Sequence, residues 1–351
     1  MSKTLSDAQR IGLSLLPSRQ QRLLREQYLA TQTLLGSILD DVCAAFAARI
    51  TRDLAYCKEQ TISLISCMDE GYPELLHQIP DFPLMLYAKG QLDCLFETTC
   101  VGIVGTRHAT PYGLDAAKSM AEELARQGII IVSGLAQGID GAAHTGALGG
   151  GKTIAIIGTG IDLCFPASHQ TLMNKIADTG CIISEFPLKT HGSKLSFPLR
   201  NRIIAGMSRG VLVVESQAHG GSLITARLAL EYDRDVFALP GRINESTSQG
   251  TLQLIRDGAI LVRNVDDILS ELQWIRTTSH ITTVPLPPIK DCSETETLVL
   301  RNLSSQAISL DALSSKISSL ETSQLLGLLS QLEIKGYLVV EPGGYYRKLK
   351  R

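Results

Sequence analysis

The spacing of apolar residues predicts helices in the first part of the chain. In residues 1–65, leucine and isoleucine recur at intervals of three and four, which is the period of an amphipathic helix. Two polar clusters, at 17–21 and 31–33, interrupt this pattern. We therefore predict a small all-helical domain of three or four helices over residues 1–65.

A different pattern begins near residue 98, where short β-branched runs alternate with glycine turns and amphipathic segments. The runs that predict strands are 100–104, 129–132, 153–157, 181–184, 211–214 and 235–238. Strands that are apolar on both faces and separated by helices indicate an α/β fold with a Rossmann-like, doubly wound, mostly parallel sheet. This predicted core covers residues 66–275, including a lead-in segment, 66–97, in which we predict turns.

The end of the chain predicts a further domain. Residues 276–292 have the Thr- and Pro-rich composition of a linker. Residues 293–351 contain three short helical patterns and then two β-prone runs around Pro342-Gly343-Gly344. Three helices and a hairpin predict a C-terminal winged-helix domain.

Composition limits the classes of function. The 351 residues carry a net charge of -2, which excludes a uniformly basic surface but allows a local basic patch. The longest apolar runs have the length of strands and the first residues lack a signal-peptide pattern, so we expect a cytoplasmic protein without membrane contact. The eight cysteines include no C-x-x-C pair, and we predict no metal site and no cofactor.

One motif suggests ATP binding. Residues 146–153 match the P-loop pattern G-x-x-x-x-G-K-[ST]. A P-loop needs a strand before its first glycine and a helix that begins at its lysine. Here a helical pattern comes first and a strand pattern follows, so we expect these glycines to end a helix.

Two glycine turns follow the first two predicted strands of the core. Gly105, Thr106 and Arg107 follow the first strand, and Ser133 and Gly134 follow the second. Glycine allows an anion to approach backbone N–H groups, and arginine offers a planar fork for phosphate. The alternative is that these glycines only permit tight turns between a strand and a helix.

The charge distribution indicates nucleic acid. No Asp or Glu lies between Glu185 and Glu215, whereas five cations, which we interpret as uncompensated, do: Lys189, Lys194, Arg200, Arg202 and Arg209. Phe197 lies three residues after Lys194 in a stretch that we interpret as an exposed loop, and an aromatic ring beside cations can stack a base while a phosphate is neutralised. The alternative is a buried Phe197 in a solvated charged loop.

No catalytic constellation is visible in the sequence. His144 and His169 are isolated, and no close acidic pair or G-x-S-x-G turn occurs, so we predict no catalytic residue. The rival function is a nucleotide-processing enzyme, because Rossmann-like cores often bind nucleotides. The P-G-G-x-G-T-x-x-E signature of phosphoribohydrolases of the lysine-decarboxylase-like group does not occur at residues 220–223, where we would expect it.

Several tracts, in this order, resemble the DprA (Smf) family of DNA-processing proteins. The most specific is FPLRNRIIAGMS at residues 197–208; the others are 104–107, 133–140, 144–148, 184–187, 221–226 and 236–241. The resemblance covers about residues 71–265. It implies a non-enzymatic mediator of natural transformation that binds and protects incoming single-stranded DNA and loads the RecA recombinase onto it.

The resemblance also implies roles for particular residues. The implied DNA-binding residues are Gly105, Thr106, Arg107, Ser133, Gly134, Lys194, Phe197, Arg200, Asn201 and Arg202. The implied homodimer surface contains Leu252, Ile255, Leu261 and Val262. Many members carry a SAM-like helical domain before the core and a winged helix after it.

Two features of this chain depart from a DNA-binding role outside the core. The turn at residues 17–21 lacks the glycines of a helix-hairpin-helix that admits phosphate. In the last helical pattern, Lys335 is the one cation and Glu321 and Glu333 oppose it. We therefore interpret the winged helix as a protein-interaction or accessory module.

Overall fold

The computed structural model describes residues 5–34, 36–272, 293–303, 308–317, 320, 322–335, 337–341 and 345–348. The chain divides into two compact units, Met1–Ile275 and Arg276–Arg351. Among the described residues, no helix has both the length and the apolar character that crossing a bilayer requires.

Within its described part, the first unit is built on a sheet of nine strands. In chain order these are β1 Ser63–Ser66, β2 Met85–Gly90, β3 Cys100–Val104, β4 Ile130–Ser133, β5 Thr153–Ile156, β6 Cys181–Ser184, β7 Gly210–Val213, β8 Asp235–Ala238 and β9 Ile260–Leu261. Their order in the sheet is β1-β2-β6-β5-β4-β3-β7-β8-β9. The run from β6 to β9 is parallel, whereas β1 and β2 are antiparallel to their neighbours. The predicted doubly wound, mostly parallel sheet is therefore confirmed.

Helices precede the sheet and connect its strands. In chain order they are α1 Asp7–Leu15, α2 Ser18–Thr31, α3 Gly36–Ala45, α4 Ala47–Glu59, α5 Glu74–His77, α6 Pro111–Arg126, α7 Ile139–Gly150, α8 Gln170–Thr179, α9 Ser196–Gly206, α10 Ser222–Glu231, α11 Gln249–Arg256 and α12 Val265–Glu271. Short 3-10 helices occur at Leu92–Leu95, Ala167–His169 and Ser246–Ser248.

Apolar side chains on both faces of the strands explain why the sheet is covered on both sides. All residues of β3 are buried, and so are those of β4, β5, β6 and β7. Along β4, Ile130 and Val132 contribute to one apolar core and Ile131 to the other, as the two-residue period of a strand requires.

The lead-in segment differs from the sequence-based prediction. We predicted turns in residues 66–97, but β1 and β2 form a hairpin whose second strand pairs with β6 and extends the sheet. The N-terminal helices pack on this hairpin: the hydroxyls of Ser14 and Tyr87 are 2.9 Å apart, and Tyr28 donates to the carbonyl of Cys67. Helices and sheet thus share one apolar core. The boundary at residue 65 stays a prediction.

The P-loop-like string is used for helix packing. Its first glycines end α7, and β5 begins at its last residue, Thr153, so the strand and helix are in the reverse of P-loop order. A Cβ at Gly146 would overlap the carbonyl oxygen of Lys118 on α6, and one at Gly150 would overlap that of Glu122. The glycines let α7 approach the backbone of α6 closely.

The second unit is described in part and matches the predicted winged helix. Its elements are α13 Glu294–Asn302, β10 Ile308–Ser309, α14 Leu310–Lys316, α15 Thr322–Ile334, β11 Leu338–Glu341 and β12 Tyr345–Lys348. The sheet order is β10-β12-β11, and the helices enclose an apolar core with it. Lys335 donates to the Glu296 carboxylate at 2.8 Å, so an acidic partner lies beside this cation. The Thr- and Pro-rich linker lies outside the described residues.

Substitution of Gly146 tests the close packing of α6 and α7. Gly146→Ala forces a Cβ against the Lys118 carbonyl, and we expect the free energy of unfolding to fall by about 1–3 kcal/mol. Gly149→Ala in the same helix is the matched control, because its Cβ meets only the Glu122 side chain, at 3.4–3.6 Å. Urea denaturation measures both; equal losses would contradict the packing role.

Candidate functional site

A cavity of about 520 Å³ opens at the carboxyl edge of the sheet, where β3 lies beside β7. The chain order of the strands reverses between these two, so this is the topological switch point at which doubly wound sheets bind ligands. The described residues that line the cavity include the turn after β3, the turn after β7 and the start of α9: Gly105, Thr106, Arg107, His108, Asp140, Lys194, Phe197, Arg200, Asn201, Gln217, His219, Gly220, Gly221, Ser222 and Thr225.

The lining of this switch-point cavity is predominantly cationic. Among the described residues, Arg107, Lys194 and Arg200 line it together with a single carboxylate, that of Asp140. Arg107 and Lys194 are exposed, whereas Asp140 is buried, and burial raises the pKa of its carboxyl. An anion that enters the cavity therefore meets the two exposed cations first.

Phe197 forms the aromatic part of the site. It lies in the first turn of α9 and is half-buried, with the Arg107 guanidinium carbon 5.1 Å from its ring centroid. The ring of Phe165, which is 51 % exposed, lies 5.4 Å from that of Phe197 at an interplanar angle of 38°. Phe165 and Phe197 also line a smaller cavity of about 100 Å³. The Phe197 ring is thus only partly buried. One of its faces is not open to a base, because the Arg107 guanidinium already lies over it.

Arg200 lines the cavity from a buried position. It is 4 % exposed, and one guanidinium nitrogen donates to the carbonyls of Gly134 and Ile156, at the ends of β4 and β5. Burial lowers the pKa of Arg200 to about 10, so the side chain remains charged at neutral pH. Arg200 therefore joins α9 to the edge of the sheet while it lines the cavity floor.

The prediction that the five cations between Glu185 and Glu215 are uncompensated is wrong for Arg202, and the predicted exposed loop extends only as far as Leu195. Residues Ser196–Gly206 form α9, and Arg202 is buried on it. Its guanidinium donates to both oxygens of Glu185, at 2.5 and 2.6 Å, and lies 3.7 Å from Asp81. Arg202 is not part of the cavity lining, because these carboxylates hold it in the interior.

Ser133 also lies outside the cavity lining. It is fully buried, and its hydroxyl donates to the carbonyl of Ile103 at 2.6 Å. The bond joins β4 to β3, so the hydroxyl that we expected to contact phosphate is used inside the sheet. Its neighbour Gly134 lines the smaller cavity.

A carboxylate occupies the start of α6. The side chain of Glu215, which follows β7, accepts hydrogen bonds from the backbone N–H of Thr110 at 2.9 Å and from its hydroxyl at 2.6 Å. A Cβ at Gly113 would overlap this carboxylate. In a dinucleotide-binding Rossmann fold, the corresponding helix N-terminus binds pyrophosphate. Here the protein's own anion fills that position.

The predicted DNA-binding residues do not include one wall of the cavity, although residues 221–226 are among the tracts that resemble the family. Gly220, Gly221 and Ser222 form the turn that opens α10, and His219 and Thr225 lie beside them. The glycine turn after a predicted strand was a usable signal, but a turn of this kind also caps helices without any ligand. His108 carried no local signal.

The residues of the predicted dimer surface lie at one edge of the sheet. Leu252 and Ile255 are half-buried on α11, and Leu261 on the edge strand β9 is 42 % exposed. Val262 is fully buried in an apolar core and is unable to contact a second copy. The homodimer itself stays a prediction.

His144 and His169 each lie within hydrogen-bond distance of a protein oxygen. His144 is fully buried with Nδ1 2.8 Å from the Thr153 hydroxyl, and His169 Nδ1 lies 3.0 Å from the Leu135 carbonyl. The described cysteines are unpaired, and the described residues contain no group of three or more His, Cys, Asp or Glu side chains that could hold a metal ion.

The fold and this cavity define a doubly wound α/β protein with a cationic cavity at its switch point. The sequence matches the family described as DNA recombination-mediator protein A over residues 63–273, and the DprA winged helix domain over residues 284–344. The chain belongs to this family of DNA-processing proteins, as the resemblance of its sequence tracts predicted.

Individual relatives support this assignment. Protein Smf of Escherichia coli is 36% identical over 304 residues, which are 85% of this chain and 80% of that protein. DNA processing protein DprA of Streptococcus pneumoniae is 41% identical over 251 residues, covering 69% and 88% of the two chains.

Solved structures agree. An X-ray structure of DprA from Streptococcus pneumoniae superposes with a TM-score of 0.65 and 37% identity, over 77% of this chain and 99% of that one. A structure of DNA processing protein A from Helicobacter pylori, described for its single-stranded DNA binding mode, superposes with a TM-score of 0.56 and 33% identity. The match covers 61% of this chain and 96% of that one.

Removal of the Arg202 side chain tests its structural role. Arg202→Ala leaves the Glu185 carboxylate without its bidentate partner in the interior, and we expect a loss of about 3–5 kcal/mol in the free energy of unfolding. Urea denaturation measures this loss. A loss below about 1 kcal/mol would place Arg202 with the exposed cations instead.

The buried His144 predicts a dependence of stability on pH. Burial lowers the pKa of His144 from 6.5 to about 3, so the unfolded chain takes up a proton at this residue before the folded chain does. Stability from this group is therefore complete above pH 6.5 and falls as the pH drops towards 3. Between pH 7.5 and 5.5 we expect a loss of about 1.4 kcal/mol, which His144→Asn should remove. Urea denaturation at both pH values checks this; the same loss in the variant would assign it to other groups.

Proposed function

We propose that this protein binds single-stranded DNA through the switch-point cavity, without preference for sequence. The observation that carries the proposal is the Arg107 guanidinium over the Phe197 ring, with Lys194 beside the same cavity. Exposed cations neutralise phosphates and an aromatic ring stacks bases, and neither interaction distinguishes one base from another.

The finer parts of the proposal come from the family. We propose a cytoplasmic homodimer that protects incoming DNA and loads the RecA recombinase onto it during natural transformation, without catalysis of its own. Leu252, Ile255 and Leu261 are the residues proposed for the dimer surface. Membership of a recombination-mediator family and the Helicobacter pylori neighbour support this direction.

The position of Glu215 argues against the nucleotide-processing enzyme. A nucleotide bound in the dinucleotide manner would place phosphate at the N-terminus of α6, where the Glu215 carboxylate already accepts two hydrogen bonds. A phosphate there would displace this carboxylate or be repelled by it. The switch-point cavity, by contrast, presents cations to an incoming chain of phosphates.

The two exposed cations should determine affinity. We expect Arg107→Ala/Lys194→Ala to lose most binding to a fluorescein-labelled oligo-dT, measured by fluorescence anisotropy at several salt concentrations. If three or four phosphates are neutralised, the wild-type logarithm of affinity should fall against the logarithm of salt with a slope of roughly -2 to -3. Removal of two cations should make that slope shallower by about 1.4.

Two further variants separate charge from stacking. Arg209→Ala removes an exposed cation of the same tract outside the cavity, and should bind as wild type does. Phe197→Leu should weaken binding by about 1–3 kcal/mol and leave the salt slope unchanged. If Arg107→Ala/Lys194→Ala binds as tightly as wild type, the DNA-binding site lies outside the switch-point cavity. If the wild type does not bind oligo-dT, the nucleotide-processing enzyme becomes the favoured function.

A further inference from the structure

A second cavity, of about 550 Å³, lies one strand further along the same edge of the sheet. Glu215 at the end of β7, Pro240 and Arg242 after β8, and Thr110 and Tyr112 at the start of α6 line it. We propose that this cavity, the β8 cavity, holds a base of the DNA strand whose neighbouring nucleotides lie in the switch-point cavity. This inference rests on the proposed function and extends the path of the DNA along the sheet.

The position of the β8 cavity fits a continuous strand of DNA. The strands β3, β7 and β8 are consecutive in the sheet, and neighbouring strands are about 4.8 Å apart. The turn after β3 lines both cavities, with Arg107 and His108 in one lining and Thr110 and Tyr112 in the other, so the two cavities are adjacent. The turn between them contains no acidic residue and exposes Arg107 and His108.

The walls of the β8 cavity suit a planar, weakly polar group. The Tyr112 side chain is 54 % exposed, although its hydroxyl donates to the carbonyl of Pro240 at 3.1 Å. This bond fixes one end of the ring against the turn after β8 and leaves much of the ring open to a ligand. Stacking on such a ring accepts any base.

The charges of the β8 cavity favour a base inside it and a phosphate at its rim. The Glu215 carboxylate uses two acceptor positions on Thr110, and a carboxylate offers about four. Glu215 is 3 % exposed but lines the cavity, so a remaining position that faces the cavity can accept from an exocyclic amine, as carboxylates accept from N4 of cytosine. Arg242 is exposed and makes no ion pair or side-chain hydrogen bond within the described residues, so it can contact a phosphate. Glu245, also in the lining, disfavours a phosphate inside.

The test compares the gain in affinity with oligonucleotide length. Labelled oligo-dC of about four nucleotides should fill the switch-point cavity, whereas about eight should reach the β8 cavity as well. Tyr112→Ala and Arg242→Ala in the full chain should bind the shorter oligonucleotide as wild type does. Tyr112→Ala should bind the longer one roughly 5- to 150-fold more weakly than wild type. Arg19→Ala, which removes an exposed cation on α2, is the control for loss of charge.

The outcomes separate this inference from the proposed function. A wild type that fails to bind the shorter oligonucleotide contradicts the proposed function itself. Variants that gain as much affinity with length as wild type overturn the β8 cavity alone. Extension with thymine, which lacks an exocyclic amine, should give a smaller gain than extension with cytosine, and equal gains would contradict the role of Glu215. A labelled tetra-arginine peptide tests the alternative of a cationic protein partner. If Tyr112→Ala abolishes binding of this peptide but leaves the gain in affinity with oligonucleotide length unchanged, the cavity belongs to such a partner and the proposal is overturned.

Discussion

The hydrogen bonds from Arg200 to the carbonyls of Gly134 and Ile156 determine the geometry of the switch-point cavity. They join α9 to the ends of two neighbouring parallel strands, β4 and β5. The carbonyls of Gly134 and Ile156 accept these hydrogen bonds from Arg200. Phe197 lies one turn before Arg200 on α9, and Lys194 lies just before the helix. The position of the aromatic ring and of one exposed cation thus follows from a bond made in the interior.

This arrangement divides two tasks among the three cations. A buried ion is screened by salt much less than an exposed one, and its desolvation is tolerable only when it is hydrogen-bonded. Arg200 meets that condition and holds the floor of the cavity, with Asp140 nearby to offset its charge. Arg107 and Lys194 are exposed, so they can release counterions when phosphates bind. Loss of Arg107 or Lys194 should therefore reduce the salt dependence of binding, whereas loss of Arg200 should disturb the folding of the site.

Local patterns in the sequence predicted the core well because its strands are buried on both faces. The runs at 100–104 and 181–184 match β3 and β6, and the reversed order around residues 146–153 correctly excluded a P-loop. The errors concern long-range partners. Nothing near Arg202 in sequence indicates that Glu185 and Asp81 would meet it, and nothing near Ser133 indicates that its hydroxyl would bond to β3. An interval without acidic residues thus predicted uncompensated cations, although the fold brings Glu185 and Asp81 to one of them.

Glu215 shows how one fold excludes one ligand and leaves room for another. In the first βα unit of a doubly wound sheet, the helix N-terminus is a ready anion site, and dinucleotide-binding proteins use it for pyrophosphate. This chain places a carboxylate there and needs Gly113 to make room for it. The DNA of the proposed function would therefore bind on the other side of the turn at residues 105–110, where Arg107 lies over Phe197. The fold alone is compatible with either ligand, and this carboxylate favours a polyanion bound across the strand ends over a nucleotide bound at α6.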